Sequence, residues 1–236
     1  MKQLFKQASI LYFSFFTVMT AFIFASLALG YRFIVSNGLI WFIVNLAVVA
    51  VFTKLCLDKR NEPTKTSLVI EKLLPLSAFI YLCAVALFIE HVNAFLLPLY
   101  AVICSTACFI ISVQSNGKRL LQILSTVVNS IALIIIWGAS FFIMTFGQIG
   151  QTTVVRELTS PAGTYTVIVI DSDQGALGGD TIVEVENHTF EINFGLGRYV
   201  RVSRLYVGDW GEFETMRLEW ASDDILMIDG VPYLME

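Results

Sequence analysis

The run Leu120–Phe146 constrains this chain more than any other stretch. It holds 27 residues and no charged side chain. Wound as an α-helix at about 1.5 Å per residue it is roughly 40 Å long, whereas the hydrocarbon core of a bilayer is about 30 Å thick. It predicts a transmembrane helix that tilts, or that projects as a stalk for the C-terminal segment. The chain before it is apolar and basic, and the chain after it is acidic and strand-like. The run is therefore also the hinge of the domain organisation, with residues 1–150 forming a transmembrane helical domain and 151–236 an acidic β domain.

Composition agrees. The chain has 236 residues, 56% of them hydrophobic, and a mean hydropathy of +0.74, which places it among integral membrane proteins. The formal charge of −4 hides an asymmetry. Residues 1–150 carry ten Lys and Arg against four acids, and residues 151–236 carry five Arg against fifteen acids, with no Lys and no Cys. An acidic surface of that kind repels nucleic acid and anionic lipid and attracts cations or a basic partner.

Four further apolar runs predict spans at about 8–30, 33–57, 72–89 and 94–113, with the fifth at 120–146. The first exceeds the usual h-region of a signal peptide, about 7–15 residues, so it reads as an uncleaved span. Residues 31–38 read as a tight turn. The segment 58–66 is a polar loop holding Pro63, and Pro75 falls in the first turn of the third span. Alternate loops carry nine basic residues (Lys2, Lys6, Lys54, Lys59, Arg60, Lys65, Lys72, Lys118 and Arg119) and the opposite loops only Arg32. The positive-inside rule then predicts a cytoplasmic N-terminus, five crossings and an extracytoplasmic C-terminal domain. Asn45, Gln122, Asn129 and Ser130 are polar side chains inside the spans, and in lipid such groups face other helices. A transport pathway is the alternative use for them.

Beyond Gln151 the period changes. Thr164–Ile170, Thr181–Glu186, Tyr199–Val207, Met216–Trp220 and Asp224–Ile228 are β-branched or alternate with period two, split by Gly, Asp and Asn. They predict a small antiparallel all-β domain, with Asp229-Gly230 as a hairpin turn. The opening Ser160-Pro161-Ala162-Gly163-Thr164-Tyr165, the turn Asp171–Asp180 and the closing Leu218-Glu219-Trp220 with Asp223–Gly230 resemble the domain of unknown function 5412 family. The resemblance covers about 75 residues and none of the membrane half. Ala162 and Thr164 depart from the acidic residue and Lys usual in that family. It implies a β fold in a bacterial envelope protein, located at the cell membrane, and no reaction.

The candidate chemistry is sparse. Asp171, Asp173 and Asp180 lie on a glycine-rich loop that departs from the EF-hand order, with Gly175 fifth and Ile182 twelfth. The loop reads as a turn between strands, as an interaction loop or as a cation site. Arg198, Arg201 and Arg204 pair with nearby acids or bind an anionic group on a lipid, wall polymer or peptide. Glu212, Glu214, Glu219, Asp223 and Asp224 read as a solvated face. Cys104 and Cys108 share a helix face but lack a neighbouring His or acid to complete a metal site. His91 and His188 lie far apart, His91 as an interfacial residue. The spans lack internal charged pairs of the kind that mark ion paths. No nucleophile elbow, P-loop or HExxH pattern occurs.

These observations predict a non-enzymatic multi-pass protein in the lipid bilayer, with no metal or cofactor. Its external β domain is expected to bind an envelope ligand or a membrane-protein partner, or to serve in a homo-oligomer, as an accessory subunit or sensor. A small transporter or channel-like component acting through the helices is the alternative, and a membrane enzyme using external acids is the third.

Overall fold

In the computed structural model the described residues are 7–58, 65–90, 92–115, 119–146, 151–175 and 178–235. Five long helices come first: α1 Ala8–Ala28, α2 Gly38–Leu57, α3 Lys65–Phe88, α4 Leu96–Gln114 and α5 Arg119–Phe146. Short strands β1 Tyr31–Val35 and β2 Ile89–Glu90 come after α1 and α3. The C-terminal part holds β3 Gln151–Thr159, β4 Tyr165–Asp173, β5 Gly179–Phe194, β6 Gly197–Asp209, a 3-10 turn at Glu212–Glu214, β7 Leu218–Ser222, β8 Ile225–Ile228 and β9 Val231–Leu234. The fold is a five-helix apolar domain followed by a small antiparallel β domain. The chain divides into two compact units, one of residues 1–26 and 35–145, the other of 27–34 and 146–236.

In the helical unit all five helices are long and apolar enough to cross a membrane, so the protein is a multi-pass membrane protein. Asn37 starts α2: its Oδ1 accepts hydrogen bonds from the amides of Leu39 and Ile40 at 3.0 and 3.1 Å, using donors that a helix N-terminus leaves unpaired. The interior is aromatic at one end, where Tyr12 stacks on Phe52 with centroids 4.7 Å apart and Phe16 packs on Tyr81 at 5.1 Å. Outward positions such as Leu120, Ile134 and Phe141 remain exposed, the pattern of a surface that meets acyl chains rather than water.

Two boundaries differ from the sequence reading. The third helix begins at Lys65 rather than near residue 72. Pro75 therefore lies inside it, where it removes the amide that would reach the carbonyl of Glu71. The second helix begins at Gly38, not at residue 33, and the expected turn at 31–38 contains the strand β1 instead. The run Tyr-Arg-Phe-Ile-Val is β-branched and aromatic, and a partner strand remote in sequence gives it its ladder.

In the β unit the strand order is β1-β6-β5-β4-β3. Every pairing from β3 to β6 is antiparallel. A second sheet, β7-β8-β9, is a meander whose last turn is Asp229-Gly230, both with positive φ (50° and 84°). Positive φ at both central residues suits the right-handed twist of a two-residue hairpin. Alternate residues of β4 and β5 (Tyr165, Val167, Val169, Val183 and Val185) form one core with Met216, Leu226, Ile228 and Met235. Burying a side chain of this size stabilises by about 1.5–3 kcal/mol. Strand β3 has no clean alternation in sequence and, like β1, is absent from the sequence reading.

Strand β1 reaches β6 through two glycines. Gly30, at φ +79°, ends α1 in the left-handed conformation and accepts the Val202 amide at 2.8 Å. At the other end a Cβ on Gly197 would lie 2.4 Å from the Ile34 carbonyl oxygen. Tyr31 stacks on Tyr199 between them, rings parallel within 3° and centroids 4.6 Å apart.

Candidate functional site

The most developed polar construction of the β unit lies on β5 and β6. Asn187 pairs with Arg201 and Ile192 with Tyr199, so residues 188–191 stand opposite Val200 alone. This wide bulge is held by charge and hydrogen bonds. Glu186, 2% exposed, receives both guanidinium nitrogens of Arg198, Nη1 to Oε2 at 2.6 Å and Nη2 to Oε1 at 2.8 Å. A buried carboxylate persists only with such a partner. His188 sets Nδ1 against the Glu191 carboxylate and Nε2 against Thr166 Oγ1 at 2.9 Å, and its amide donates to the Thr164 carbonyl. Thr189 donates its amide to Asn187 Oδ1 at 2.9 Å. The carboxylate–imidazole–hydroxyl chain clamps the bulge to β4 and thrusts Phe190 outward, 72% exposed.

Beside the bulge runs a groove of about 830 Å³. One wall is the chain leaving the first helix, Leu27–Tyr31, and the other is formed by Asn187, Thr189, Phe190 and the β6 residues Arg201, Val202 and Ser203. Leu29, 64% exposed, and Phe190 are its apolar rim. Arg201 is exposed, and among the described residues no carboxylate pairs with it.

The predicted site residues thus separate. Of the three arginines, Arg198 is bound to Glu186, Arg204 reaches Glu184 at 3.5 Å, and Arg201 alone faces the groove. They are not one cluster, because alternation along β6 and the carboxylates of β5 divide them. The loop acids do not converge either. Asp173 Oδ1 accepts the Gly175 amide at 2.7 Å, and Asp180 Oδ2 accepts Gln174 Nε2 at 3.1 Å, both closing the turn. Asp171 lies on β4 opposite Thr181, with Oδ1 buried and without a partner among the described residues. No group of three metal-ligating side chains occurs among the described residues.

Two groups in this unit carry perturbed acidities. Tyr206 donates to Glu212 Oε1 at 2.7 Å, and that carboxylate pushes the phenol up to about 12. Asp223, hydrogen-bonded by Ser160 and by the Ala162 amide, is held below the usual carboxylate value. The first ties β6 to the 3-10 turn, and the contacts of Asp223 tie the β7–β8 turn to the β3–β4 turn.

In the helical unit the predicted polar residues also divide. Asn129 is buried and donates Nδ2 to the Lys72 carbonyl and to Ser112 Oγ, each at 3.0 Å, linking α5, α3 and α4. Asn45 donates to Trp41 of its own helix at 2.8 Å. Gln122 and Ser130 are half-buried. The sequence pattern puts Glu71 and Lys72 at or before the start of the third span; both are buried inside α3. Glu71 Oε1 accepts Ser9 at 2.6 Å and Ser67 at 2.9 Å. Lys72 Nζ donates to the carbonyls of Ser112 and Ser115, both at 2.7 Å. Those carbonyls end α4, lack intrahelical donors and carry the negative end of its dipole. The lysine thus caps a neighbouring helix. Its signal in sequence is the Thr66-Ser67 start of α3, ahead of the apolar run itself. A cleft of about 240 Å³ among α3, α4 and α5 is apolar, lined by Phe79, Leu97, Pro98 and Ile136. Cys104 and Cys108 are buried thiols against Tyr12, whose hydroxyl lies 3.9 Å from Cys108 Sγ. His91, the loop 59–64 and the residues 116–118 lie outside the described residues.

No family model, no curated protein and no solved structure matches the chain. Its class follows from its own architecture: a multi-pass helical membrane protein carrying a small antiparallel β domain.

Proposed function

We propose that this protein resides in a bacterial cell membrane with its N-terminus in the cytoplasm, and that its β domain faces outward to bind an envelope ligand or a membrane-protein partner, as an accessory subunit or sensor. The orientation rests on the nine-to-one distribution of basic residues among the alternate loops and the helix ends beside them. The binding role rests on one observation: a groove beside Arg201 in a unit whose neighbouring arginines, Arg198 and Arg204, are already paired. A cation left exposed between two neutralised ones is available to a ligand rather than needed by the fold.

Two measurements test this reading. A membrane-impermeant thiol reagent applied to intact cells labels Thr189→Cys above the unsubstituted background if the domain is outside. Labelling only after lysis reverses the orientation. Mild-detergent purification with mass spectrometry then identifies a stoichiometric companion, protein or envelope-derived. A chain that emerges alone and binds no envelope component defeats the binding role.

A further inference from the structure

We infer that the Arg201 groove binds the anionic phosphodiester headgroup of a membrane lipid; this rests on the outward-facing reading above and gives its ligand a chemical class. Three observations converge. The first is position. Leu27 and Ala28, in one wall of the groove, are the last residues of the apolar helix α1. A chain emerging from a membrane span passes first through the headgroup layer, so this wall meets lipid headgroups before any soluble molecule.

The second is the lining. Arg201 offers a planar fork of donors that matches a phosphodiester's two free oxygens. Thr189 and Ser203 add hydroxyls to the same groove. Leu29 and Phe190, both largely exposed, give apolar surface on the rim. Cation, hydroxyls and exposed apolar side chains together match an amphiphile, whereas a free sugar or ion would have no use for the last of them. The volume, about 830 Å³, lies within the usual range for small-molecule sites, about 300–1,000 Å³.

The third is construction. The groove wall at Thr189 and Phe190 is the bulge held by Glu186, Arg198, His188, Glu191 and Thr166. A bidentate ion pair on a buried carboxylate and an imidazole clamp are costly devices for a surface loop, and here they hold the groove's far wall in place. The opposite wall is held by Gly30, by the tyrosine stack and by Gly197. The surrounding region carries a net charge of −10, five Arg against fifteen acids. That field opposes anions in general, a singly charged headgroup least and a polyanion most, so the attraction is local to Arg201.

The test uses the full chain in a neutral detergent, titrated with phosphatidylglycerol and, separately, with water-soluble glycerophosphoglycerol, and read by native mass spectrometry. The expected result is one retained phosphatidylglycerol, with affinity falling about tenfold in Arg201→Gln, the loss of one charge-assisted contact. Arg201→Lys keeps the charge but not the fork and restores only part of it, and Arg204→Gln, whose arginine is paired with Glu184, leaves it unchanged. Equal retention in Arg201→Gln, or equal loss in Arg204→Gln, overturns the proposal. Tight binding of glycerophosphoglycerol at the same Arg201-dependent site replaces the lipid by a soluble phosphodiester and overturns it too. Because the titration is done in detergent, it is independent of the Thr189→Cys labelling. Lipid binding lost with outward labelling intact sinks only this inference, and inward labelling sinks the orientation whatever the lipid result.

Discussion

The helical unit and the β unit solve the same problem with opposite surfaces. In the β unit the aliphatic side chains are inside: Val167, Val183 and Leu226 are completely buried. In the helical unit Leu120, Ile134 and Phe141 are 81, 70 and 69% exposed, while Ser9, Glu71, Lys72 and Asn129 are buried. Water makes the first arrangement favourable, because apolar area removed from it is stabilising. A lipid surround removes that drive and penalises any polar group left facing it, so polar side chains turn inward and join helices. Both units bury charge and give it partners, Glu186 with Arg198 and Lys72 with two helix-end carbonyls.

The sharpest way to break this comparison is at Glu186. Arg198→Ala leaves the buried Glu186 carboxylate without its bidentate partner, and stranding a buried charge in this way costs about 3–5 kcal/mol. The expected outcome is a β unit that becomes sensitive to limited proteolysis while the helical unit stays resistant. Loss of resistance in both at once would join the two units into one cooperative body.

Aliphatic truncation comes next, and it contrasts the two surfaces directly. Leu226→Ala creates a cavity in the β core and costs about 2–5 kcal/mol. Ile134→Ala removes a comparable side chain from an outward position of α5 and stays within about 0.5 kcal/mol of the unsubstituted protein. Thermal unfolding of both in the same detergent checks the pair, and equal losses would place Ile134 in a packed interface.

Asn129→Leu removes the side chain that ties α5 to α3 and α4. Its expected cost is about 1 kcal/mol, in the range measured for hydrogen bonds between membrane helices, read as a shifted midpoint in a denaturing-detergent titration. An unchanged midpoint would mean that apolar packing alone holds α5.

The smallest effects are those of pH on the β unit. The Tyr206 phenol, raised from 10.0 to about 12, contributes stability that is complete below pH 10 and is lost as pH rises toward 12, because the unfolded phenol ionises first. Asp223 acts in the other direction. Its depressed acidity contributes stability that is present at neutral pH and is lost as pH falls through the carboxylate range. Tyr206→Phe flattens the alkaline limb of a melting-temperature profile and Asp223→Asn the acid limb. A limb that keeps its slope shows that another group carries it.

Much of the architecture is determined by sequence alone, since it depends on short-range pattern. An uncharged run longer than about 20 residues can only be a helix in lipid, and α5 begins and ends within one residue of its apolar run. Period-two alternation marks β4, β5, β6 and β8, and Asp229-Gly230 forms its hairpin because few other residue pairs accept positive φ twice. The helix starts were less legible. Glu71 and Lys72 look like loop charges until Ser9, Ser112 and Ser115 arrive from other helices to receive them.

Tertiary structure alone decided the rest. That residues 31–35 form a strand depends on β6, more than 160 residues later in the chain, and on Gly30 and Gly197 allowing the approach. That Arg201 is available while Arg198 and Arg204 are not depends on which carboxylates of β5 come within their reach. Pattern along a chain reports the medium each side chain meets, because that follows from its own chemistry. Which partner it meets is a property of register, and register is settled only when distant strands and helices come together.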